Sequence, residues 1–62
     1  MCTGITGVIT EVEDDDGIGV AWVDTGESRL TASLLTCPEA RAGETVLVHS
    51  GFVLKILQEE SS

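Results

Sequence analysis

Five short runs of β-branched and aliphatic residues, separated by stretches rich in turn-forming and polar residues, constrain this chain more than any other feature of its sequence. "ITGVITEVE" at residues 5–13 has the composition of a strand, and the "DDDG" behind it supplies the residues that reverse a chain, which predicts a hairpin. "IGVAWVD" at 18–24 places Ile18, Val20 and Trp22 on one face and Gly19, Ala21 and Val23 on the other, a pattern of partial burial on both sides. After a "TGES" turn, Leu30, Ala32 and Leu34 alternate with Arg29, Thr31 and Ser33, as in a sheet with one wet face. "TCPEARAG" at 36–43 holds the only proline and stretches too short for a helix, so it reads as the longest loop with at most a helical turn. "ETVLVHS" and "FVLKILQ" then give two more strands, with Gly51 between them permitting a bulge or a sharp change of direction. Five strands at this spacing and no convincing helix predict an all-β fold, a small barrel of the OB or SH3 type, whose closure removes the exposed edges that make open sheets aggregate.

The length of 62 residues allows one domain, 1–62. A globule of that size buries only roughly 60% of its unfolded surface. With 42% hydrophobic residues a core is feasible, but a core and an enclosed catalytic pocket together are not, so the chain is read as a non-enzyme. Eleven acidic residues stand against Arg29, Arg41 and Lys55, a formal net charge of −8. Such a surface repels phosphate backbones instead of releasing their counterions, so no nucleic acid and no anionic membrane is expected as partner. No long apolar run precedes Arg29, so neither a signal peptide nor a membrane span is expected and the predicted location is cytoplasmic. In that compartment Cys2 and Cys37 are expected as thiols.

Cys2 stands directly behind Met1. Removal of the methionine would bring the α-amino group next to the thiol, and the nearby ammonium charge favours the thiolate that binds soft metals. His49, the only histidine, lies in the fourth apolar run, on the side of Thr45 and Leu47 if Val46 and Val48 point inward, and could serve as ligand or hydrogen-bonding group. Cys2 and His49 cannot close a metal site alone, because structural zinc takes four protein ligands and catalytic zinc three, so any metal must be shared with another molecule. Cys37, beside Pro38 and without a CxxC partner, reads as an incidental thiol. "EVEDDDG" lacks the spaced carboxylates and flanking helices of a calcium loop and reads as a solvated turn.

The two ends of the chain, "MCTGITG" and "GETVLVHSGFVLKIL", together resemble the HypC/HupF/HybG family of nickel-iron hydrogenase maturation chaperones. Members typically begin Met-Cys-Leu/Ile-Gly/Ala-Ile/Val-Pro-Gly and later carry Gly-Asp/Glu-aromatic-Val-Leu-Val-His-x-Gly-Phe-Ala. The matches here are Cys2, Gly4, Ile5 and Gly7 at the start, and Gly43, Glu44, Val46, Leu47, Val48, His49, Gly51 and Phe52 near the finish. The resemblance implies an OB-like barrel whose N-terminal cysteine binds partners and iron. It further implies transient handling of an iron carrying cyanide and carbon monoxide ligands, Fe(CN)2CO, received with a HypD-type maturation protein and passed to the hydrogenase large-subunit precursor. On that reading Cys2 is a shared iron ligand and partner anchor, His49 a second candidate at the metal, and Gly4, Ile5, Gly51 and Phe52 partner contacts. Thr6 stands in place of the usual proline, which frees a φ angle in the N-terminal segment, and Thr45 and Val53 replace the usual aromatic and alanine. The family's C-terminal helix is expected to be short or absent.

Two other functions compete on the residues alone. A small acidic β-barrel could bind a basic protein surface with no metal role, or Cys2 could cycle with Cys37 in a redox protein, which requires the two within disulfide geometry.

Overall fold

A computed structural model describes residues 4–57 of the chain, and all regular structure in them is β. The elements are β1 (Ile5–Asp15), β2 (Ile18–Asp24), β3 (Arg29–Ser33), β4 (Thr45–His49) and β5 (Phe52–Ile56). They close into a barrel in the order β1-β2-β3-β5-β4, the OB-like architecture expected from the strand pattern. Neighbours pair antiparallel except β3 with β5, which meet in parallel at Ser33 and Phe52. The seam is short, and Ser33 N–H closes it by donating to the Gly51 carbonyl at 2.8 Å.

β1 runs two residues beyond the predicted strand, so that Asp14 and Asp15 belong to the ladder and only Asp16 and Gly17 turn the chain. Both turn residues have positive φ, 59° and 87°. This is the primed geometry that an Asp-Gly pair favours, because its twist matches that of the flanking strands. A bulge between Ile9 and Glu11 shifts the register of β1 against β2. Gly7 and Ile9 face the core before it, while beyond it Glu11, Glu13 and Asp15 lie opposite Trp22, Val20 and Ile18 on the outer surface.

β2 resolves the ambiguity of its two apolar faces. Ala21 and Val23 are fully buried, whereas Ile18 is 43% exposed and Val20 and Trp22 are half-buried. The small side chains are inside because the barrel interior is narrow: a Cβ added to Gly19 would come 2.9 Å from Leu34 Cδ1. In β3 the alternation holds as expected, with Ala32 and Leu34 buried, Leu34 just past the strand end.

The core comprises Ile9, Ala21, Val23, Ala32, Leu34, Val46, Val48 and Val53, together with Cys37 and Ala40 from the long loop. That loop contains no helix. Single turns, Cys37 N–H to Leu34 O and Ala40 N–H to Cys37 O, fold it over the barrel end, and Thr36 Oγ1 donates to Val53 O at 2.8 Å to fasten it to β5. Cys37 is thus a core residue, not the incidental thiol its sequence context suggests. Thr6 sits in β1 opposite Leu47, within the β1–β4 ladder.

Candidate functional site

The "HSGF" segment forms the β4–β5 hairpin. Ser50 and Gly51 have φ of 57° and 82°, so a two-residue turn of the primed type brings His49 directly opposite Phe52. Val48 and Val53, one residue back on each strand, are buried, so His49 and Phe52 project outward on the other side of the pleat. His49 is half-buried and its Nδ1 lies 3.3 Å from Ser50 Oγ. The rings of His49 and Phe52 thereby share one patch at one end of the barrel.

The start of β1 reaches the same end. Ile5 pairs with Val48 and Thr6 with Leu47, so the segment preceding β1 leads along β4 toward His49. Gly4 makes a close approach there. A Cβ at this position would stand 2.6 Å from Leu47 Cδ1 and 3.1 Å from the Val48 carbonyl oxygen, so the backbone of Gly4 lies close against β4. Gly4 is therefore a spatial neighbour of the His49–Phe52 hairpin across more than forty positions of sequence, whereas Ile5, paired with the inward-facing Val48, lies on the other side of the pleat from His49 and Phe52. Cys2 lies outside the described residues.

Two features of this patch were not anticipated from the sequence. Ser50 adopts a positive φ beside Gly51, which a Ser-Gly dipeptide between two strands could have signalled. Ser33 joins the patch through its parallel pairing with Phe52, and no local pattern reveals a partner so distant in sequence.

Among the described residues no three His, Cys, Asp or Glu side chains are grouped to hold a metal ion. The carboxylates of "EVEDDDG" are spread along a strand and a turn and enclose no cation site. Cys37 is a free thiol, 4% exposed. Burial pushes its pKa up, and the negative charges of Glu39 and Glu44, with a hydrogen bond to Glu39, push the same way. A buried thiol held in its protonated form is a poor nucleophile and a poor redox partner. An open depression of about 450 Å³ is lined by Thr6, Thr10, Thr25, Thr45 and Asp24, away from His49. The Asp24 carboxylate already accepts from Gly26 N–H at 2.9 Å, and no other charged group lines the depression.

No curated protein and no solved structure matches this chain significantly. The model of the HupF/HypC family matches it over residues 1–62, a span that takes in both the "MCTGITG" opening and the hairpin carrying His49. With the OB-like barrel, this places the chain in the HupF/HypC family, the chaperones of hydrogenase maturation.

Proposed function

We propose that this chain is a cytoplasmic, non-catalytic carrier that helps move Fe(CN)2CO from a HypD-type maturation protein to the hydrogenase large-subunit precursor. Cys2 supplies one soft ligand to an iron otherwise held by the partner, and anchors the complex. The observation that carries this reading is the pairing of Ile5 with Val48, which delivers the chain start to the His49–Phe52 hairpin. Cys2 is two residue steps from Gly4, which makes the close contact with β4, and covalent geometry allows those two steps to span at most roughly 7 Å. Nδ1 of the half-buried His49 is engaged with Ser50, and on this reading the imidazole completes the iron's surroundings or takes a proton from a partner cysteine as that cysteine binds. Phe52, 38% exposed, adds apolar contact beside His49.

The test is substitution of Cys2 by alanine. The variant is expected to keep the far-ultraviolet circular dichroism of the barrel but to lose complex formation with the HypD-type protein and with the large-subunit precursor. The captured wild-type complex should contain iron and show infrared bands of metal-bound cyanide and carbon monoxide, which the variant preparation lacks. Binding that persists undiminished in Cys2→Ala would sink this reading.

A further inference from the structure

The outer face of β2 is exposed and unusually apolar for so acidic a chain. Ile18, Val20 and Trp22 form a row along it. On the β1 side the register sets an acidic residue against each member of that row: Asp15 opposite Ile18, Glu13 opposite Val20, and Glu11 opposite Trp22. Directly opposed residues of an antiparallel pair share a face, so the carboxylates form a rail along the edge of the apolar row. On the β3 side the neighbours are small and polar, Ser33 beside Val20 and Thr31 beside Trp22. Arg29 is the one cation among these neighbours, and its guanidinium lies over the Trp22 ring, 5.3 Å from the centroid. Arg29 thus covers a face of the Trp22 ring, which leaves Ile18 and Val20 as the open part of the row.

This row leads into the site described above. Val20 pairs with Ser33, Ser33 with Phe52, and Phe52 with His49, so a single lateral path crosses β2, β3, β5 and β4 on the outer surface. The strand 2–3 face flanked by the β1–β2 and β4–β5 turns is the surface that OB folds use for ligands. Here its charge is wrong for nucleic acid and complementary to Lys and Arg.

We propose that this face docks a basic amphipathic segment of a protein partner, whose apolar side chains cover Ile18, Val20 and Phe52 while its Lys and Arg side chains meet Glu11, Glu13 and Asp15. The proposal rests on the chaperone reading only in taking that partner to be a maturation protein or the large-subunit precursor. It assigns orientation to the acidic hairpin: the rail steers the basic segment onto the apolar row, and the row positions the partner's metal end beside His49.

The test uses two probes against the full chain. The first is a synthetic peptide alternating Leu and Lys, with a Leu/Glu peptide and a single-stranded oligonucleotide as comparisons, read by Trp22 fluorescence and by nuclear magnetic resonance shifts at about 0.1 M salt. The Leu/Lys peptide should bind and perturb Ile18, Val20, Trp22 and Phe52, and the charge-reversed variant Glu11→Lys/Glu13→Lys/Asp15→Lys should bind it about tenfold more weakly. The second probe is the purified HypD-type protein, whose binding should weaken similarly in the charge-reversed variant. Peptide shifts confined to other faces, equal binding by the charge-reversed variant, or preferential binding of the oligonucleotide would each overturn the proposal. If Cys2→Ala still binds the HypD-type protein while charge reversal weakens both probes, the docking face stands and the sulfur reading fails. If Cys2→Ala abolishes that complex and charge reversal changes neither probe, the sulfur reading stands and the docking face is overturned.

Discussion

His49 and Phe52 stand opposite each other across a turn of only two residues, and both of those residues hold positive φ. The only histidine of the chain and its only phenylalanine are thereby locked onto the same outer patch, at the end where the first strand begins. Backbone conformation, not side-chain packing, sets this juxtaposition. It makes the turn a point at which a single backbone substitution reads out in stability.

Replacement of Gly51 by valine should cost about 1–2 kcal/mol, because a β-branched residue pays the left-handed penalty at a φ of 82°. Nothing lies within 4 Å of a Cβ at this position, so the cost is conformational and not steric. Urea unfolding should show a lower midpoint with an unchanged slope. A midpoint equal to that of the wild type would contradict the primed turn.

Gly7 and Gly19 face the same barrel interior but should respond differently to alanine. At Gly7 the new Cβ would lie 2.5 Å from Val23 Cγ1 and 2.8 Å from the Asp24 carbonyl oxygen. Val23 is fully buried and the carbonyl belongs to the backbone, so neither can yield, and overpacking should destabilise by about 1–3 kcal/mol. At Gly19 the nearest atom, 2.9 Å away, is Leu34 Cδ1, the far end of a flexible side chain and no backbone atom, although Leu34 is buried and its Cβ lies 3.3 Å away, so some strain remains. There the lower chain entropy of alanine should offset much of the strain, leaving a change within about 1 kcal/mol. Thermal unfolding of the two variants side by side checks the ordering.

Much of this barrel was legible in the sequence because its signals are local. The alternation of Leu30, Ala32 and Leu34 with polar neighbours defines a one-sided strand, and Asp16-Gly17 is a hairpin turn written in two residues. Closure was expected only by analogy with other small β proteins, since periodicity identifies a strand's faces but not its partners. The single parallel pair Ser33 and Phe52 carries no local mark. The inward face of β2 was undecidable for a similar reason: both faces are apolar, and the narrow interior, not hydrophobicity, selects Ala21 and Val23 over Trp22. Cys37 looked incidental because burial of a loop residue depends on where the loop folds back. The grouping of Gly4, Ile5, His49 and Phe52 followed from family resemblance alone; the β1–β4 register brings Gly4 beside the hairpin but pairs Ile5 with the inward-facing Val48, on the other side of the pleat from His49 and Phe52.

Arg29→Ala should alter the fluorescence of Trp22 with little loss of stability. Trp22 is the only tryptophan, so its emission reports this contact without interference. Removal of the guanidinium exposes one ring face to water and should red-shift the emission. An exposed cation–π pair contributes about 0.5–1 kcal/mol, which sets the expected drop in unfolding free energy. An unchanged spectrum would mean that the arginine does not rest on the ring in solution.

Cys37 should make the protein less stable as the solution becomes alkaline. Its pKa is raised in the folded state, first by burial and then by Glu39 and Glu44, so the native chain keeps the proton that the unfolded chain releases above about pH 8.5. Below that pH both states hold the proton and the contribution to stability is complete. Above it the unfolded state binds fewer protons than the native state, the slope of stability against pH is negative, and the contribution drains away as pH climbs toward the folded pKa. Urea unfolding between about pH 7 and about pH 10 should therefore show a decline that Cys37→Ala lacks in part. The chain has no tyrosine, so the alkaline limb is free of phenol titration and the two curves can be compared directly. Iodoacetamide at neutral pH should likewise leave Cys37 unmodified until urea is added. Curves that run parallel throughout the range, or labelling of Cys37 in the native protein, would place this thiol at the surface instead of in the core.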